Sequence, residues 1–186
     1  TMNIELFSLG DPRSLDPAVV GTKAAGLAAL HDAGFEVPDA FVVPVAVADG
    51  WPDDPVPDAM RQAVAQVCEA LGPRLAVRSS ATWEDSATSA HAGATATMLD
   101  VRGVDATLDA VRHCLSASAQ AQRSLDERGG VAIVLQRLVA ADHAGVAFTA
   151  DPISGEREVV RLAATEGLGE ALVQGEVIGS DVTLRG

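Results

Sequence analysis

A chain of 186 residues with 48% hydrophobic content has material for one domain, or one domain with a lobe, and its composition gives no case for disorder. Its formal charge of −13, from 26 acidic and 13 basic residues, repels nucleic acid and anionic membranes but leaves room for an anionic ligand where the few cations gather. Aromatics at 3% with no tyrosine argue against base-stacking platforms, and the core falls to Ala, Val and Leu.

In chain order, Asn3 to Phe7 alternates as a strand does, and Ser8 to Ser14 reads as a turn around Gly10, Asp11 and Pro12. Gly21 and Thr22 open a helix that carries Lys23 in its first turn and stops at Gly34. A lysine at that end opposes the helix dipole, which suits either a solvated side chain or one that meets an anion there. Phe35 to Pro44 is a short strand entered through a proline turn, and residues 44–57, with four prolines, read as an irregular connector. Met60, Val64, Val67 and Leu71 give a helical stripe ended by Gly72-Pro73.

Leu75, Ala76 and Val77 lead as a buried strand into Arg78-Ser79-Ser80-Ala81-Thr82-Trp83-Glu84-Asp85. A guanidinium among small hydroxyls can cradle phosphate oxygens, its planar fork taking two of them while hydroxyls and backbone N–H groups fill the remaining directions. The same residues also suit a polar loop in which Arg78 pairs with Glu84 or Asp85. Ser86 to Gly93 is a loop of small residues containing His91, and Ala94 to Val101 a strand with Thr95, Thr97 and Leu99 on one face. Asp105 to Asp126 is a helix with Leu108, Val111 and Leu115 inward, stopped at Gly129-Gly130. Val131 to Val139 is an apolar strand interrupted by Gln136 and Arg137, where the amide meets a ligand edge or solvent. His143 to Pro152 and Glu158 to Ala164 pair as a hairpin, Thr165 to Glu170 is a glycine-containing turn into a short helix, and the last residues read as a strand.

Cys68 and Cys114 fall in helical patterns without metal-binding spacing, the four histidines are scattered, and no leader or spanning run stands out. The expectation is a reduced, cytoplasmic protein with neither membrane nor nucleic-acid partner.

Taken together, several blocks resemble the nucleotide-binding domain of the phosphoenolpyruvate synthase, pyruvate phosphate dikinase and rifampicin phosphotransferase family. They are Val20-Gly21-Thr22-Lys23-Ala24-Ala25-Gly26-Leu27 with Gly34 to Phe41, then Ala76 to Asp85, then Ala92-Gly93 with Thr97-Met98-Leu99. Val134 to Val139, Gly145 to Pro152 and Glu166 to Gly175 complete the series. The resemblance implies an α+β, ATP-grasp-like fold of mixed, mainly antiparallel sheets with flanking helices. ATP would lie between a first lobe over about residues 1–135 and the start of a second, incomplete lobe over 136–186.

It also implies an AMP-forming, dikinase-type phosphotransferase that passes the β-phosphoryl group of ATP to a histidine on a separate domain or chain. Lys23 and Arg78 would bind phosphate as the catalytic pair, Thr97 would touch the phosphate side, and Gln136 with the backbone of Leu138 and Val139 would form the adenine hinge. Partners would be ATP or AMP, a phosphohistidine-carrying domain or chain, and a complementary second ATP-grasp lobe.

The sequence departs from the family in having Gly21-Thr22-Lys23 where many members have a glycine pair, His91 for a loop phenylalanine, Ala94 for a glutamine, and a short connector between Phe41 and Arg78. The family's later acidic and Gln-x-Arg-Pro segments have no counterpart in these residues, so Mg2+ is expected for activity while no metal ligands are identifiable. The alternative is a catalytically incomplete nucleotide-binding or regulatory module; on either reading the isolated chain is not expected to turn over ATP.

Overall fold

The computed structural model describes residues 4–51, 55–83, 96–125, 128–151, 154–169, 172 and 179–185. The chain divides into two compact units, Thr1–Leu138 and Val139–Gly186. Both join helices or turns to antiparallel strands, and the architecture is α+β and ATP-grasp-like.

The first unit is a five-stranded sheet in the order β1-β2-β5-β3-β4, formed by Phe7–Ser8, Ala40–Val43, Val131–Arg137, Leu75–Ala81 and Thr97–Val101 respectively. Every pairing in it is antiparallel. Two cores cover its two faces. Helix α1 (Pro17–Asp32) brings Val20, Ala24 and Ala28 onto Ala40, Val42, Ala132 and Val134. On the other face, α3 (Asp58–Leu71) and α4 (Val104–Leu125) pack Met60, Val64, Leu71, Leu108 and Val111 against Leu75, Val77, Ile133 and Leu135. Strand β5 is therefore apolar on both sides, which is why it reads as a continuous run and not as an alternation.

The helical stripe of α3 is buried as its spacing predicts, with Met60, Val64, Val67 and Leu71 all inward, and Gly72 ends the helix at φ 93. In α4, Leu108 and Val111 are fully packed, and Cys114 joins them. Among its described residues the proline-rich connector contains a short helix, α2 (Val45–Ala48), with Pro44 at its N-cap. Among the described residues the first strand is shorter than the alternation suggests, with Phe7 and Ser8 paired to Val42 and Phe41.

Two differences matter for the site. Strand β3 does not stop at Val77 but runs through Arg78, Ser79 and Ser80 to Ala81, paired with β5 along its whole length. The polar stretch belongs to the sheet because its hydroxyls find partners inside the protein. Strand β4 starts at Thr97 and is bulged: Val77 faces Met98 and Leu75 faces Val101, so three steps on β4 match two on β3. Asp100 takes the extra position at φ 55, the left-handed region that Asp tolerates better than most residues. Its carboxylate holds Arg74 Nε at 2.6 Å and Arg102 Nε at 3.0 Å.

The second unit is a three-stranded meander, β6 (His143–Phe148), β7 (Val159–Glu166) and β8 (Ser180–Arg185). The expected hairpin is present, with Gly145 opposite Ala164 and Phe148 opposite Arg161. Asp151 closes the connection: its carboxylate accepts from the Ser154 N–H and from Arg161 Nε, both at 2.9 Å. Arg161 also reaches Asp181 on β8 at 3.2 Å. Among the described residues no helix is long and apolar enough to cross a membrane.

Candidate nucleotide site

The site begins with the alternation of β3. Leu75, Val77 and Ala81 belong to the core under α3 and α4, so Ala76, Arg78 and Ser80 point to the α1 side. Arg78 stands opposite Thr97 on β4 and Val134 on β5, and directly paired residues share a face. Gln136 lies two residues beyond Val134, opposite Ala76 and Ala40, and faces the same way. Arg78, Thr97 and Gln136 thus occupy one face of the sheet, the face that α1 covers in part.

Helix α1 supplies Lys23. Asp16 caps its first turn by accepting the Ala18 N–H, and Pro17 occupies the first helical position. At Gly21 the helix breaks (φ 75, ψ 165) and starts again. The expected helix opening at Gly21-Thr22 is therefore a restart within a longer element. Only glycine adopts that backbone readily, and a Cβ there would overlap the carbonyl and hydroxyl oxygens of Ser80.

The close approach lets three consecutive residues of α1 bond three consecutive residues of β3. Thr22 Oγ1 donates to the Ala81 carbonyl at 3.3 Å, Lys23 Nζ to the Ser79 carbonyl at 2.9 Å, and the Ala24 N–H to Ser80 Oγ at 3.0 Å. Ser80 thus serves the restarted helix as a cap residue would, although it lies 56 positions away in sequence.

This geometry corrects the reading of the hydroxyls as a phosphate cradle. Ser79 and Ser80 are fully buried, and the Ser79 hydroxyl donates to the Ala96 carbonyl at 3.3 Å. Thr82 Oγ1 accepts the Gly130 N–H at 3.2 Å. Their hydrogen bonds are internal to the protein. Ser80, Gly21 and the Ser79 carbonyl were not picked out from sequence as parts of one device; small residues at both positions were the available signal, visible only once the two segments are known to meet.

Lys23 also acts on the thiol behind Ser79. Burial pushes the Cys114 thiol up to about 11, and the nearby Lys23 charge and a Ser79 backbone hydrogen bond offset that only in part. Cys114 Sγ rests 3.7 Å from the Val77 carbonyl and 3.7 Å from that of Ala96.

Gln136 is buried, and its Nε2 donates to the Pro38 carbonyl at 3.2 Å, bracing the chain where it enters β2. The Leu138 N–H donates to the Arg74 carbonyl at 3.0 Å, and Val139 is exposed as the first residue of the second unit. Glu84, Asp85, His91 and Ala94 lie outside the described residues. Among the described residues no group of three or more His, Cys, Asp or Glu side chains could hold a metal ion.

Known proteins are similar to the chain over most of its length. The family described as "Pyruvate phosphate dikinase, AMP/ATP-binding domain" matches residues 50–185. The prodigiosin-synthesizing transferase PigC of Serratia marcescens is 35% identical over 92% of this chain and 23% of its own length. A phosphoenolpyruvate synthase of Aeropyrum pernix is 30% identical over 86% of this chain and 26% of its own. A rifampicin phosphotransferase of a Streptomyces species is 40% identical over 70% of this chain and 16% of its own. The chain thus spans between 16% and 26% of the length of these relatives.

Proposed function

Because the chain belongs to the family of pyruvate phosphate dikinase AMP/ATP-binding domains, we propose that it is the ATP-binding part of an AMP-forming phosphotransferase. The β-phosphoryl group of ATP would pass to a histidine on a separate domain or chain, with AMP and phosphate released. The observation that carries this reading is that the helix bearing Lys23 is bonded to the strand bearing Arg78. Lys23 from α1 reaches the carbonyl of Ser79, the residue that follows Arg78 on β3. A protein of net charge −13 needs a local concentration of positive charge to hold a polyphosphate.

Each residue then has a part. Arg78 offers a planar fork to phosphate oxygens and Lys23 a compact charge. Thr97, opposite Arg78 and exposed, adds a hydroxyl donor on the same face. The restart of α1 after Gly21 sets a second helix start, with its positive dipole end, against Ser80 of the strand that carries Arg78. Gln136, with the backbone of Leu138 and Val139, would meet adenine, which takes an amide-like edge between apolar walls. Phosphoryl transfer is largely positioning and charge stabilisation, and these residues supply both. Magnesium would neutralise phosphate charge during transfer, but the described residues offer it no cluster of ligands, so no step is assigned to it here.

Calorimetry with ATP and adenosine tests the phosphate assignment. Arg78→Ala should weaken ATP about 10- to 100-fold, the scale of losing charge-assisted hydrogen bonds, and leave adenosine nearly unchanged. Equal loss for both ligands would overturn it. The direction of transfer is tested by supplying the second ATP-grasp lobe and the histidine-bearing domain of a relative and following label from ATP: label arriving from the γ-phosphate would overturn the β-phosphoryl assignment.

A further inference from the structure

We infer that Ser80 is a positioning residue for polyphosphate binding, acting through α1 and not by touching ligand. The inference rests on the reading of Lys23 as a phosphate-binding residue. Ser80 is fully buried, so its hydroxyl cannot be offered to a nucleotide. What it does is accept the N–H of Ala24, the residue that follows Lys23, at 3.0 Å in a buried setting.

Three features make that bond decisive for where Lys23 stands. The helix is already broken at Gly21, so its second segment has no continuous first turn to fix its start. Gly21 sits against the Ser80 backbone, and any Cβ there would overlap it, so the two chains meet at a set depth. Lys23 Nζ ends on the carbonyl of Ser79, adjacent to Ser80, so a slip of the helix start along β3 moves the ammonium relative to Arg78. Ser80 Oγ supplies the side-chain acceptor that registers the restarted helix on the strand carrying Arg78, and the relative placement of the two cations follows from it. The placement of the site's charge is thereby set by a neutral, inaccessible hydroxyl.

The test uses the 186-residue chain, with ATP and adenosine binding by calorimetry and amide hydrogen exchange at Ala24 without nucleotide. Ser80→Ala should speed exchange at Ala24, weaken ATP about 10-fold and change adenosine less than about 2-fold. In a Lys23→Met background the same substitution should add less than about 2-fold, because its route to the ligand has been removed. Ser80→Cys, which keeps a buried side chain with a poor acceptor, should show the same selective loss and serves if the alanine variant does not fold. Equal loss of ATP and adenosine, a full loss persisting without Lys23, or faster Ala24 exchange with ATP affinity intact would each overturn the positioning role. Wild-type chain that binds neither ligand, or Lys23→Met that binds ATP normally, would instead overturn the phosphate reading of Lys23, and the inference with it.

Discussion

Arg78 and Thr97 stand directly opposite each other on β3 and β4, and a bulge at Asp100 lies between that pair and the Leu75–Val101 pair. With Thr97 opposite Arg78 on the α1 side, strict alternation would also turn Val101 to the α1 side. The extra residue shifts the phase, so Val101 is buried against Leu75 while Thr97 keeps its place. A local irregularity therefore serves a core residue and a site residue at once.

Asp100 holds that bulge in two ways, and substitutions separate them. Asp100→Gly keeps the positive φ without strain and loses the ion pairs with Arg74 and Arg102; Asp100→Ala loses both. The glycine variant should be the more stable of the two by about 1 kcal/mol in urea melts. Hydrogen bonds from Arg102, then Arg74, hold the Asp100 carboxyl down at about 2 from an ordinary 3.8. A depressed folded-state value means that the stabilisation is present above the ordinary value and is lost as pH falls through the folded one. The stability difference between wild type and Asp100→Gly should therefore shrink between pH 3.8 and about 2, and a gap that stays constant over that range would remove the carboxylate from the account. Because the pair is solvent-exposed, the change is expected to be small.

Gly21 is expected to be intolerant. Gly21→Ala puts a side chain into a glycine-only backbone region and into the oxygens of Ser80. Strain and overpacking each cost on the order of 1–3 kcal/mol, so a loss of about 3 kcal/mol or more should appear in chemical denaturation. Gly26, where an added Cβ meets nothing within 4 Å, is the control: Gly26→Ala in the same helix should be neutral or slightly stabilising.

Gln136→Ala removes the donor that satisfies the Pro38 carbonyl and leaves a space beside it. Stability should fall by about 1–3 kcal/mol. If the amide also meets adenine, ATP and adenosine should weaken together, the opposite signature to Arg78→Ala. Normal adenosine affinity in a folded Gln136→Ala chain would confine the residue to bracing β2.

What could be read from the sequence was whatever repeats over short range. The stripe of α3 and the apolar run of β5 announce themselves because each residue's burial depends on its near neighbours. The continuation of β3 through Arg78-Ser79-Ser80 could not be read that way. These residues look like a loop, and they sit in a strand because Ala24, Ala96 and the β5 ladder, all distant in sequence, satisfy their polar groups. The bulge at Asp100 was hidden for the same reason: register is a property of two strands, and one strand alone shows only its alternation. Lys23 and Arg78 were singled out by residue type and surroundings, whereas Ser80 was grouped with ligand hydroxyls because burial cannot be seen in a tripeptide.

The strand order carries a consequence for synthesis. Strand β5, at Val131–Arg137, lies between β2 and β3, which precede it by dozens of residues. Until it emerges, β2 and β3 have no strand to join them, and each presents an open edge to other chains. At about 5–20 residues per second the ribosome leaves that interval open for several seconds. The nascent chain thus has to shelter its hydrophobic strands until one late segment arrives to zip the sheet together.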